Sequence, residues 1–137
     1  MGRLIGLDVG DKRIGIALSD LLMFTAQGIE TYNRKEEPQD ITYLVDFIQK
    51  NDVDRIVCGL PKNMNGSIGE QAEKVQAFAE ELKKAAGLPL IYWDERLTTK
   101  SAHQTLLEAD MSRKKRKAVV DKIAAVYILQ GYMDSIR

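Results

Sequence analysis

Three positions in the chain carry carboxylates at points where they could do chemistry. Asp8 ends the apolar run Leu4-Ile5-Gly6-Leu7 and is followed by Val9-Gly10. Such a run indicates a central strand covered on both faces. Ligands of open α/β sheets sit outside the carboxyl ends of the strands, so Asp8 is either a turn former or the first ligand of a site. Asp94 and Glu95 end a second apolar run in the same way. Adjacent strand residues point to opposite faces, so at most one of the pair shares a site with Asp8. Glu95 has the longer reach, and Asp94 is the alternative. Asp121 has Ala124 and Ala125 at i+3 and i+4, with Ala118 and Ile128 one turn further out on either side. It therefore lies on or beside an apolar helix stripe, which is costly for a carboxylate unless it is paired or binds a metal. Lys117, at i−4, offers an ordinary salt-bridge partner. The small alanines would let that helix lie close to a sheet and deliver the acid to a strand end. Three acids so gathered make an oxygen-rich site suited to Mg²⁺ or Mn²⁺. Two such ions about 4 Å apart activate water and stabilise the leaving oxygen in phosphodiester cleavage.

Cations form the second group. Arg113-Lys114-Lys115-Arg116-Lys117 is an unbroken basic run that could grip a nucleic-acid backbone or simply be solvated surface. Arg13 and Arg96 each stand near a proposed ligand and are candidates for phosphate contact. The loop Leu60 to Gly69 runs from a strand end to a helix start, where backbone N–H groups can hold phosphate. Lys62 and Asn63 could add contacts there. The loop lacks the Gly-Lys-Ser/Thr ending of a P-loop. His103 is the single histidine, and no paired serine or cysteine nucleophile motif supports triad chemistry.

The elements that must position these residues follow from periodicity. Gly10-Asp11-Lys12 has tight-turn composition, and Arg13 to Ser19 alternates as a strand does, so the first two strands form a hairpin. Gly6 and Gly15 weaken strands unless something approaches the backbone closely. Phe24 to Asn33 reads as a third strand, completing an antiparallel meander. Pro38 marks a break. Ile41, Leu44, Val45 and Ile48 then trace one helix face. Arg55 to Leu60 is a short buried strand. Ser67 and Glu70 fit a capping box for a helix whose core face is Ala72, Val75, Phe78, Ala79 and Leu82, with Gly87 as its C-terminal cap. Leu88 to Trp93 is the last strand. Helices follow from about Thr98 to Ala109 and from Ala118 to about Asp134. The order predicts one α/β domain over residues 1–137, a mixed sheet with helices packed on its faces.

Composition bounds the rest. A length of 137 residues suffices for one core without staples. Hydrophobic and charged fractions of 45% and 29% are those of a soluble globular protein. A single cysteine, Cys58, excludes an intramolecular disulfide and a cysteine metal cluster, and points to a reducing, cytoplasmic setting. No apolar run spans a membrane and no signal peptide is expected. The formal net charge of zero leaves local clustering as the only electrostatic pointer to nucleic acid.

Taken together, Gly6-Leu7-Asp8-Val9-Gly10 with Lys12 to Ala17, Gly59-Leu60-Pro61 with Asn63-Met64 and Gly66, Asp94-Glu95-Arg96-Leu97-Thr98-Thr99, and Asp121 with Ala124-Ala125 resemble the YqgF family. These are Holliday-junction-resolvase-like proteins also described as pre-16S ribosomal RNA nucleases. The resemblance covers essentially the whole chain. It implies a ribonuclease H-like fold with a mixed five-stranded sheet and helices on both faces. It implies metal-dependent phosphodiester hydrolysis by Asp8, Glu95 (with Asp94 as alternative) and Asp121, using Mg²⁺ or Mn²⁺. The implied substrate is structured RNA, at the 5′ end of precursor small-subunit rRNA, with ribosomal particles as further partners and no membrane. The rival readings are a four-way DNA junction resolvase and a non-catalytic ribosome-assembly factor. A monomer or weak homodimer is expected.

Overall fold

A computed structural model describes residues 2–95 and 113–136, with the side chains of 113–121 outside that description. The elements are β1 (Arg3–Val9), β2 (Arg13–Ser19), β3 (Ala26–Asn33), α1 (Glu37–Lys50), β4 (Val53–Leu60), α2 (Glu70–Ala86), β5 (Leu90–Asp94) and α3 (Arg113–Ser135). The expected helix from Thr98 to Ala109 lies outside the described residues.

The five strands form one mixed sheet in the order β3-β2-β1-β4-β5. β1, β2 and β3 are the expected meander, while β4 and β5 run parallel to β1. The third strand starts two residues later than Phe24. The reason is a turn in which Asp20 Oδ1 accepts the N–H groups of Phe24 and Thr25, at 2.7 and 3.2 Å.

Alternation along the strands divides the sheet cleanly into two faces. Ile5, Leu7 and Val9, with Ile14, Ile16 and Leu18 and with Ile56, Cys58 and Leu60, pack under α1 and α2. Leu44 and Ile48 of α1, and all five expected core residues of α2, complete this layer. On the other face Leu4, Ala17 and Val57 meet Ala125, Ile128, Leu129 and Met133 of α3, flanked by Ile91 and Trp93.

α3 can lie this close because Gly6 has no side chain. A Cβ there would stand 2.7 Å from Leu129 Cβ and 3.0 Å from the Ala125 carbonyl oxygen. That close approach accounts for a glycine in mid-strand. The helix runs antiparallel to β1. Gln130 Oε1 accepts the Ala26 N–H at 2.9 Å and Tyr132 Oη accepts from Arg55 at 2.9 Å, both at the N-terminal end of β1. Lys122 packs over Gly28, further toward the other end. Among the described residues α3 already includes Arg113, five residues before the expected Ala118, so the basic run is helical.

The expected capping box at Ser67 does not form. The residue before α2 is Gly69, and Ser67 instead donates its hydroxyl to Asn65 at 2.6 Å and accepts from Asn63 at 3.0 Å. The local asparagines outcompete the helix end for that hydroxyl. Gly87 does end the helix, in the left-handed region at φ 69°. Pro38 sits in the first turn of α1, where a missing N–H costs nothing.

One polar group lies in the α1 layer unforeseen. Asp40 is wholly buried. Its carboxylate accepts from Tyr32 Oη, Arg34 Nε and the Lys35 N–H, each at 2.9 Å. Arg34 in turn donates to the Gly10 carbonyl at 2.9 Å and lies over the Phe78 ring at 4.6 Å. Burial pushes the Asp40 carboxyl up, but the bonds from Lys35, Arg34 and Tyr32 outweigh it, and its pKa falls below the ordinary value. We expect Asp40→Ala to cost about 3–5 kcal/mol, since it strands a half-buried guanidinium. A lowered folded-state pKa means this contribution is complete above the ordinary carboxylate value of 3.8 and is lost as pH falls through the folded pKa. Urea unfolding of both proteins at pH 7 and pH 3 checks this, and the gap between them is to narrow at pH 3.

Candidate functional site

The two-face division decides which carboxylates can meet. Asp8 follows Leu4 and Gly6 on the α3 face of β1, half-buried, opposite Gly15 of β2. No side chain from that partner fills the space beside it. Along β5, Ile91 and Trp93 share the α3 face, so the next residue in phase is Glu95, one position beyond the strand. Asp94 is out of phase. Its backbone pairs with Leu60, and it reaches Glu95 only as a neighbouring charge.

Glu95 is buried, and its carboxyl hydrogen-bonds that of Asp8. Burial, this bond and the Asp8 charge, with a smaller part from Asp94, hold Glu95 far above the usual carboxylate range. Two carboxyls in contact in a partly dry site cannot both ionise unaided. One keeps a proton and donates it to the other.

A residue that the sequence assigned no role beyond a family motif makes this contact possible. Gly59 on β4 lies between the two acids in sheet order. A Cβ there would fall 2.4 Å from Ile128 Cδ1, 2.7 Å from Glu95 Cγ and 2.8 Å from Glu95 Oε1. The available signal was a glycine inside the apolar run Val57-Cys58-Gly59-Leu60, where only close approach justifies its cost. Cys58 beside it faces the opposite layer. Burial, with the Glu95 and Asp8 charges, pushes its thiol up, so it is no nucleophile at neutral pH.

The other expected site residues divide by location. Arg13 is half-buried at the start of β2, in phase with Gly15 and Ala17 on the α3 face. Its carbonyl accepts the Gly10 N–H at 2.8 Å, closing the hairpin beyond Asp8. Lys62 and Asn63 lie in the loop after β4, Lys62 half-buried and Asn63 exposed. Asn63 is engaged within the loop, where its side chain donates to Ser67 and packs on Gly69 at 3.1 Å from the Cβ position. Arg96 lies outside the described residues. The backbone of Asp121 belongs to α3, one turn before Ala125, but its side chain and those of Arg113, Lys114, Lys115, Arg116 and Lys117 are outside the description.

Asp8 and Glu95 supply oxygen donors only, the set that Mg²⁺ and Mn²⁺ favour. Their enforced contact is also the arrangement a divalent cation relieves, since it permits both to ionise. Among the described residues no group of three His, Cys, Asp or Glu side chains is clustered for a metal, and the third expected ligand is Asp121.

Comparison with known proteins bears on the whole chain. A protein of Clostridium acetobutylicum named "Putative pre-16S rRNA nuclease" is 60% identical over 134 residues, covering 98% of this chain and 99% of its own. Its counterpart in Clostridium novyi is 58% identical with the same coverage. Among solved structures, T. thermophilus RuvC in complex with Holliday junction substrate superposes with a TM-score of 0.64 at 10% identity, over 99% of this chain and 96% of that one. The Fowlpox virus resolvase in its Holliday junction DNA complex gives 0.59 at 13% identity over 98% of each chain. At such identities the likeness is one of fold, and the fold is ribonuclease H-like. A model of the family described as RuvX, Holliday junction resolvase, matches residues 2–135. With that match and relatives this similar over nearly its full length, the chain belongs to the RuvX (YqgF) family.

Proposed function

We propose that this chain is a divalent-metal-dependent nuclease that hydrolyses phosphodiester bonds in structured RNA, with the 5′ end of precursor 16S rRNA as its substrate in the bacterial cytoplasm. The observation that carries the proposal is the Asp8–Glu95 carboxyl contact at the C-terminal end of β1 on the α3 face. The relatives' printed name supplies the substrate.

Asp8, Glu95 and Asp121 are the residues we assign to hold Mg²⁺ or Mn²⁺. Helix geometry supports the third. Gly6 touches α3 between Ala125 and Leu129, and Asp8 lies about 7 Å further along β1. The antiparallel helix covers that distance in four to five residues at about 1.5 Å each, which leads back to the turn holding Asp121. Asp121 is also four residues before Ala125 and so shares its helix face. The bound ions supply charge neutralisation and an activated water for hydrolysis. Binding of such an ion would favour the ionised form of both Asp8 and Glu95. Arg13, in phase with Asp8 at the hairpin, is assigned to the substrate phosphate together with Lys62 and Asn63 of the loop after β4, and Arg96, next in sequence to Glu95, is assigned the same role.

Arg113 to Lys117 are helical and carry five consecutive cations with no acid among them. Like charges a turn apart cost helix stability. That cost is explained if the run exists to attract polyanions. No helix among the described residues is long and apolar enough to cross a membrane.

The resolvase reading is favoured by the family model's own description. Cleavage of precursor 16S rRNA and of a four-way DNA junction, measured side by side, separates the two. A protein that stays monomeric at working concentration counts against symmetrical cutting of two strands, and a weak homodimer is compatible with either.

Three outcomes are expected. Asp8→Asn reduces cleavage by at least about 10³-fold with an unchanged circular dichroism spectrum; full activity in that variant removes the assignment. Added Mg²⁺ or Mn²⁺ raises the melting temperature of the wild type through preferential binding to the folded state, and the shift is much smaller in Asp8→Asn. Gly59→Ala displaces Glu95, because the new methyl meets both its Cγ and its Oε1, besides Ile128 Cδ1. It should lower turnover more than about ten-fold while costing only about 1–3 kcal/mol of stability, as read from steady-state kinetics and thermal unfolding of the same sample.

A further inference from the structure

The loop between β4 and α2 presents an exposed apolar tip beside the proposed site. Met64 is 93% exposed and Ile68, in the same loop, is 41% exposed. Isolated surface apolar residues are common and need no explanation. Three features set this loop apart.

The first is rigidity. The Asn63 N–H donates to the Ser67 carbonyl at 3.0 Å, the Gly66 N–H to the Asn63 carbonyl at 2.8 Å, and the Ser67 N–H to Asn65 Oδ1 at 3.0 Å. The Asn63 and Ser67 side chains close the same ring, and Gly66 supplies the left-handed turn at φ 85°. Met64 therefore stands on a braced platform.

The second is place. β4 lies between the strands that carry Asp8 and lead to Glu95, and parallel to both. Leu60 pairs with Asp94, so the loop leaves the sheet level with Glu95, at the end where the carboxyls meet.

The third is company. Lys62, Asn63, Asn65 and Ser67 surround the apolar residues with phosphate- and base-bonding groups. Another exposed apolar group among the described residues, Leu21, Leu22 and Phe24, joins β2 to β3 at the opposite end of the sheet from Asp8.

We propose that Met64 is a wedge that packs against an unstacked nucleobase next to the scissile phosphate, so that the enzyme selects sites where a base can leave its stack. An apolar side chain entering between bases offsets part of the unstacking cost, and a thioether suits this because it is unbranched and polarisable. Lys62 then holds the flanking backbone, while the asparagines keep the loop braced. This inference rests on the nuclease reading and adds how that site chooses its position.

The test uses the full chain carrying Asp8→Asn, which prevents cleavage, and an RNA hairpin with 2-aminopurine at the cut position of the wild type. Binding is followed by anisotropy and unstacking by 2-aminopurine fluorescence. The proposal expects a fluorescence rise on binding. The rise is to be lost in Asp8→Asn/Met64→Ala, with about ten-fold weaker binding, retained in Asp8→Asn/Met64→Phe, and unaffected in Asp8→Asn/Leu22→Ala. Binding without a rise, or a rise that survives Met64→Ala, overturns the wedge and leaves the nuclease reading intact. Failure of Asp8→Asn to bind the hairpin at all, where four-way DNA binds, overturns both.

Discussion

Two carboxyls forced into contact are the constraint around which this fold is arranged. Asp8 and Glu95 come from strands that are not neighbours, with β4 between them. Their meeting over Gly59 requires that β4 contribute no side chain at that point. The energetic cost is visible in Glu95, which holds its proton far above the ordinary range because burial and the Asp8 charge both oppose ionisation. A structure optimised for stability alone would separate the two or replace one. Retaining them costs stability, a cost that the proposed binding of a divalent cation would offset.

The remainder of the sheet keeps this cost local. The α1–α2 face is apolar from Ile5 to Leu82. Its one buried charge, Asp40, is fully satisfied by Tyr32, Arg34 and the Lys35 amide. Arg34 extends that network to the Gly10 carbonyl, two residues beyond Asp8. The hairpin that ends the first strand is thereby fixed from the insulated face, and the carboxyl on the opposite face inherits its rigidity. Strain is carried on one side of the sheet and its anchorage on the other.

Much of this arrangement was legible in the residues. The meander, the core stripe of α2 and its Gly87 terminus follow from periods of 2 and 3.6 and from glycine's tolerance of φ > 0, all local properties. The Ser67 cap was misread because Ser67 has a choice of partners, and the asparagines two and four residues before it prevail over the helix end. Asp40 was invisible for another reason. Its partners Tyr32 and Arg34 sit six to eight residues upstream, at and just past the end of β3, and sequence spacing does not report that β3 and α1 fold back on one another. α3 runs through five consecutive cations, a like-charge repulsion that made the segment read as preceding the helix rather than belonging to it.

The choice between Asp94 and Glu95 shows how far alternation alone can be taken. Trp93 packs against Gly131 of α3, with that glycine's Cβ position 3.0 Å from the indole ring. Once Trp93 is assigned to the α3 face, period two sends Asp94 to the other face and Glu95 back. Asp8 follows by the same count from Gly6. The two acids therefore share a face because two glycines, one on β1 and one on α3, admit a close helix, and each fixes the phase of its neighbouring strand. In the sequence the phase of β5 was open, since Leu90 to Trp93 is apolar throughout. It is closed only by the helix that packs on it, some forty residues later in the chain.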